Sequence, residues 1–254
     1  MARRLDSKVV IVTGGASGIG WAVARRAVTE GAAVVIAGRR KDLGEQAAAR
    51  LREGGGRALF VAADVTVEHD AERLVQAAVT QFGRLDGAVN NAGGVNAAGP
   101  LHEVSDAAWQ AELQQNLTSV FYSLKFQIPA MASTAGGGSI INNASTGGVR
   151  GIPGLAAYVA AKHGVVGLTR SAALEGAQSG VRVNALVTGN VDTPLYRDLL
   201  GVPHEGELPG RAPNPTGRAA SPDEIAAFAA FLLSDESAFI SGAALAIDGG
   251  FTAQ

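Results

Sequence analysis

The chain contains no cysteine, which excludes disulfides, thiolate catalysis and cysteine-held metals. Aromatic residues make up only 5%, so the core is not anchored on a few bulky rings. Alanine, valine, glycine and leucine must instead pack helices closely onto sheet. The four histidines, His69, His102, His163 and His204, have no metal-ligand spacing with one another or with nearby carboxylates. No metal is expected. No run of about eighteen apolar residues occurs, so no membrane-spanning helix is expected. The first residues lack the longer apolar stretch and small-residue cleavage site of a secretory leader, and the expectation is a soluble cytoplasmic protein. A net charge of −2 gives no electrostatic case for nucleic acid or an anionic membrane surface.

What is present is apolar material for one large core: 47% of 254 residues are hydrophobic. Short apolar runs at 9–12, 33–37, 58–62, 85–89, 139–143, 181–186 and 243–247 read as seven strands. They show little alternation, as strands covered on both faces should. Helical patterns occupy 18–30, 42–53, 68–82, 106–131, 152–179 and 222–233, the last with Ser221 as N-cap and Pro222 at its first position. Alternating strand and helix implies parallel strands joined by right-handed crossovers. The fold class is therefore α/β, a single-domain doubly wound (Rossmann) parallel seven-stranded sheet with helices on both faces, spanning 1–254. The triple glycine at 136–138 reads as a helix-to-strand loop. Residues 195–217 carry four prolines and four glycines and read as a loop that forms a lid.

Two sets of residues carry chemistry. The first is Thr13-Gly14-Gly15-Ala16-Ser17-Gly18-Ile19-Gly20, which follows a strand and opens a helix. Gly14 permits the tight turn, Gly18 lets backbone approach a pyrophosphate, and Gly20 lets the helix pack on the sheet. The helix N-terminus adds free N–H donors and partial positive charge. At the end of the second strand stand Arg39 and Arg40, with no acidic residue to bond a ribose 2′-hydroxyl. A guanidinium pairs bidentately with a 2′-phosphate, which favours NADP(H), with NAD(H) as the alternative. Asp64 and Val65, ending the third strand, are placed to flank the adenine. The second set is Ser145, Tyr158 and Lys162. Tyrosine and lysine at i and i+4 share a helix face, and an ammonium nearby favours the phenolate.

With Asn90-Asn91-Ala92-Gly93, Asn116 and Asp248-Gly249-Gly250 in the same order, the whole chain resembles the short-chain dehydrogenase/reductase family in its compact form. The resemblance implies that Tyr158 is general acid in reduction and general base in oxidation. Ser145 would bond the substrate oxygen, and Lys162 would bond the nicotinamide ribose and, with the positive nicotinamide ring, depress the Tyr158 pKa. Asn116 would hold a water linking Lys162 to solvent. Asn90, Ala92 and Gly93 would line the cofactor, joined by Ser17 and Ile19 of the turn. Thr188, Gly189, Val191 and Thr193 would serve its nicotinamide half. Val187-Thr188-Gly189 departs from the family's usual Pro-Gly after the sixth strand.

These roles imply a small-molecule ketone or other carbonyl interconverted with a secondary alcohol, most simply by a carbonyl reductase. The same scaffold acting as an imine reductase or alcohol dehydrogenase, or as a non-catalytic NADP-binding regulator, is the alternative. The expected substrate wall (94–98, 146–152, 188–190 and the long loop) is mostly small or apolar. Arg150 is a candidate for a substrate anion and His204 for a substrate contact, whereas His163 points away from the Tyr158–Lys162 face. The resemblance also implies a homotetramer with two-fold axes.

Overall fold

The computed structural model describes residues 3–254, so the first two positions of the segment read for a leader lie outside the described residues. Seven parallel strands form one sheet: β1 (Val9–Thr13), β2 (Ala33–Gly38), β3 (Arg57–Ala62), β4 (Gly87–Asn90), β5 (Gly138–Asn143), β6 (Val181–Thr188) and β7 (Ala244–Ile247). Their spatial order is β3-β2-β1-β4-β5-β6-β7. The order reverses direction between β1 and β4, where Val10 pairs with Gly87 and Val12 with Val89. At such a switch point the loops leaving the two strands diverge to opposite faces and open a crevice at their C-terminal ends.

Side chains alternate across the pleat and divide the core in two. Val10, Val12, Val34 and Ile36 face α1 (Gly18–Thr29), α2 (Lys41–Glu53) and α8 (Pro222–Leu233). Val9, Ile11 and Val35 face α3 (Glu68–Phe82), α5 (Ser119–Ala135) and α6 (Ala156–Gly176). The alanine-rich helix faces let the layers close without large rings. At the start of α8 the expected cap is complete. Ser221 Oγ accepts from Glu224 N at 3.3 Å, and Glu224 Oε2 accepts from Ser221 N at 2.8 Å.

Three expected boundaries move. The stretch 106–131 is not one helix: α4 (Asp106–Leu113) widens into a π-helical turn over Gln114–Thr118 before α5 begins. The stretch 152–179 becomes helical only at Ala156, because Pro153 biases the residue before it away from helix. The long loop opens with a helix, α7 (Pro194–Leu200), capped by Thr193 Oγ1 and ended by Gly201 in a left-handed conformation. Among the described residues no helix is long and apolar enough to cross a membrane.

Candidate active site

The glycine turn leaves β1 at the switch point. Gly14 adopts φ +66°, and a Cβ on Gly20 would stand 2.3 Å from the Gly14 carbonyl oxygen. The turn therefore closes only with glycine at both places. Ser17 caps α1 without using its side chain on the helix, so the first N–H groups of α1 face a cleft of about 340 Å³. Arg39 and Arg40 stand exposed at one end of this cleft, and Tyr158 and Lys162 stand at the other. Arg40 Nη2 lies 3.4 Å from Ser17 Oγ. These features fit a dinucleotide: backbone donors at its middle, cations at one end and a proton donor at the other.

A chain of hydrogen bonds crosses the strand ends beneath the cleft. The Thr13 hydroxyl accepts from the N–H of Asn91 at 2.9 Å and of Ala92 at 3.0 Å. Asn143 Nδ2 donates to Asn91 Oδ1 at 3.1 Å, and Thr188 Oγ1 donates to Asn143 Oδ1 at 2.9 Å. β1, β4, β5 and β6 are thereby tied edge to edge by side chains as well as by their ladders.

Above that chain sit Ser145, Tyr158 and Lys162. Lys162 is buried, and its ammonium donates to the Asn143 carbonyl at 2.9 Å. Burial pulls its pKa down to about 8 although Glu112 opposes the shift. Burial also raises the Tyr158 hydroxyl above its ordinary value. A hydrogen bond with Ser145 works against that rise, and the charge of Glu112 adds to it. The expected depression of Tyr158 by Lys162 is thus not found in the chain alone. Burial sets the direction of the shift, and the Lys162 Nζ lies 5.5 Å from the tyrosine ring centre. Ser145 holds φ +65°, ψ 163°, a conformation L-residues avoid, and its Oγ accepts from Gly147 N at 3.3 Å.

Asn116 sits at the centre of the π-helical turn, a local widening that recurs at functional sites. Its Nδ2 donates to Gly94 O at 3.0 Å and to Glu112 Oε1 at 2.8 Å, while its Oδ1 accepts from Gly94 N at 3.3 Å. Both Nδ2 hydrogens are therefore engaged, while Oδ1 has one partner and can accept a second donor.

The remaining expected residues divide into two groups. Gly14, Ser17, Gly18, Ile19, Asp64 and Val65 line the cleft, as do Ala92, Gly93 and Thr193. Asp64 Oδ1 is turned to Thr66, accepting from its N–H and hydroxyl. Gly20 lies under the turn. Asn90 is buried below the cleft, its amide bonded to Gln127 and Asn142. Thr188 is buried in the chain described above, Gly189 N donates to Ile247 O, and Val191 bridges to Ala220. Arg150 donates to the Phe251 carbonyl at 2.5 Å with its guanidinium 4.8 Å from that ring centre, which ties it to the C-terminal turn. His204 is held on the surface by Asp198 at 2.7 Å. His163, on the face away from Lys162, meets the Val159 carbonyl at 2.9 Å.

Three site residues were not foreseen: Asn143, Gln115 and Glu112. Asparagine ending an apolar strand was the available signal for Asn143. For Glu112 it was the i, i+4 spacing to Asn116.

Comparison with known proteins identifies the family. The family model described as Enoyl-(Acyl carrier protein) reductase matches residues 14–252. Cis-4-hydroxycyclohexanecarboxylate dehydrogenase of Sinomonas cyclohexanicum is 44% identical over 253 residues, covering 100% of both chains. Cyclohexanol dehydrogenase of Acinetobacter sp. (strain SE19) is 37% identical, covering 100% of this chain and 98% of its own. The crystal structure of levodione reductase superposes with a TM-score of 0.91 at 36% identity, covering 98% of each chain. The chain belongs to the short-chain dehydrogenase/reductase family, oxidoreductases that use nicotinamide cofactors.

Proposed function

We propose that this chain interconverts a ring ketone and its secondary alcohol with NADP(H). One observation carries the reading: Tyr158 and Lys162 face the glycine cradle across a single cleft whose far end holds Arg39 and Arg40. When bound, the nicotinamide supplies or accepts the hydride. In reduction Tyr158 gives its hydroxyl proton to the substrate oxygen, and in oxidation it takes that proton back. Ser145 donates to the same oxygen and stabilises the charge that develops there. Lys162, with a pKa of about 8, carries its proton at neutral pH and favours the phenolate left after transfer. Asn116, one helix away, holds the water through which that proton is replaced.

The end of β2 supports the phosphorylated cofactor. Gly38 is followed by two exposed arginines and no carboxylate, and Arg40 reaches toward the first turn of α1. The cyclic substrates named for cyclohexanol dehydrogenase and cis-4-hydroxycyclohexanecarboxylate dehydrogenase support a ring. So do the small residues beside Tyr158, where Gly147 and the end of Ile152 meet. Residues 195–217 act as a cover over this end, with Leu195 at its edge. The exposed Phe121 on α5, Leu174 on α6 and Phe239 support a homotetramer, which a mass measured in solution checks.

The test is turnover of cyclohexanone, cyclic diones and a cyclic imine with NADPH, repeated with NADH, and oxidation of cis-4-hydroxycyclohexanecarboxylate. Tyr158→Phe should bind NADPH normally and lose about 10²–10⁴-fold in kcat. Full turnover by a folded Tyr158→Phe protein overturns the mechanism. A preference for NADH overturns the arginine reading.

A further inference from the structure

Glu112 is a carboxylate with no exposure to solvent, on the last turn of α4. Each of its contacts is with an N–H. Oε2 accepts from the backbone of Asn96 at 2.6 Å and of Ala97 at 2.9 Å, and Oε1 accepts from Asn116 Nδ2 at 2.8 Å. An acceptor on all sides is what a carboxylate offers and an amide does not. Desolvating a carboxylate is costly, and the three N–H donors that converge on it offset that cost only in this one arrangement.

The two ends of this contact set belong to different parts of the site. Asn96 and Ala97 lie in the segment after β4, which the proposed function sets at the substrate end, and Asn96 Nδ2 also donates to Gln115 Oε1 at 2.5 Å. Asn116 is the amide assigned to the proton path. Its orientation has only one solution here. With Nδ2 on Glu112 and on the Gly94 carbonyl, Oδ1 must face the Gly94 N–H and the Gly93 backbone beside Lys162.

We propose that Glu112 is a positioning residue for the reaction, holding the Asn116 amide and the substrate-side backbone of Asn96 and Ala97 in one arrangement. The inference rests on the function proposed above, since it acts through Asn116. Its charge gives it a second handle on the same groups. Of the elements packed on α6, α4 brings the charge that acts on both Tyr158 and Lys162, and that charge favours the protonated form of each. Ser145 and the Asn143 carbonyl face them as neutral groups. A glutamine at position 112 removes the charge. It must also turn its NH₂ toward either the two backbone N–H groups or the Asn116 amide, setting donor against donor.

The experiment compares wild type with Glu112→Gln, Glu112→Ala and Glu112→Asp. It follows the ionisation of Tyr158 in the cofactor-free proteins by near-ultraviolet difference absorbance, with Tyr158→Phe isolating that residue from Tyr122 and Tyr196. It then measures NADPH binding and the pH profile of kcat. Glu112→Gln should bind NADPH nearly as wild type does, lose about ten- to a hundredfold in kcat, and move the Tyr158 midpoint down by about half a unit or more. Glu112→Asp, which keeps the charge, should restore the midpoint. An unchanged midpoint in Glu112→Gln and Glu112→Ala overturns the inference. So does a loss of kcat that only follows a loss of NADPH affinity and melting temperature. Turnover retained by Tyr158→Phe would instead overturn the proposed function, whatever Glu112 does.

Discussion

Replacing Lys162 by methionine should stabilise the cofactor-free protein while abolishing its turnover. Lys162 is almost completely buried, and its pKa falls from 10.5 to about 8. That fall corresponds to about 3 kcal/mol spent keeping the ammonium charged below pH 8. Methionine fills a similar volume without charge. It forfeits the hydrogen bond to the Asn143 carbonyl and leaves that oxygen without this donor, a loss of about 1–2 kcal/mol. The net gain at pH 7 is therefore about 1–2 kcal/mol, or about 3–6 °C in melting temperature for a chain of this size. The pH dependence is the sharper signature. The folded pKa lies below the unfolded one, so between about pH 8 and 10.5 the unfolded wild-type chain binds more protons than the folded one. Wild-type stability must then rise with pH across that window relative to the variant, whose advantage shrinks accordingly. Urea unfolding of both proteins from pH 6.5 to 10, quantities chosen to bracket about pH 8, reads this directly. Parallel stability curves, or a variant less stable at pH 7, would refute the reasoning.

Two further substitutions test other parts of the site. Ser145→Gly relieves the positive φ and should gain about 0.5–1 kcal/mol over Ser145→Ala in denaturant midpoint, yet both should lose about 10²–10³-fold in kcat; a glycine variant that keeps its turnover contradicts the role of the hydroxyl. Gly93→Ala sets a Cβ 2.7 Å from Asn116 Oδ1, and the displaced amide should lower kcat about a hundredfold. Wild-type kcat in that variant would show that the placement of Asn116 does not limit the reaction.

The sheet was legible because its strands are buried on both faces, so the runs at 9–12 or 33–37 stand out as unbroken apolar segments. The parallel, doubly wound sheet followed from their alternation with helices. The π-helical turn was not legible: the apolar spacing of 106–131 passes through Asn116 without a break, and the widening coincides with a tertiary bond from Asn116 to Gly94 that spacing does not report. Two boundaries could have been read. Pro153 argues against helix at Ile152, and Thr193-Pro194 followed by Gly201 is a complete helix start and stop. Glu112 was hidden for a different reason. A glutamate inside an amphipathic helix reads as solvent-facing, and only the fold shows that this one is enclosed by N–H donors. The missing depression of Tyr158 has the same origin, because spacing reports the lysine but not the desolvation around both groups.

The hydrogen-bond chain beneath the cleft also bears on when the site comes into being. Its links join residues separated by 78, 52 and 45 positions, running from Thr13 to Asn91, Asn143 and Thr188. None can close until the strand that carries its far partner has docked, and contacts of such separation form slowly. A chain emerging from the N-terminus can complete its glycine turn early, but its reactive groups acquire their support only when β6 joins the sheet. Catalytic competence is therefore a late event in folding, and a partly folded chain can display a phosphate-binding turn with no proton donor set against it.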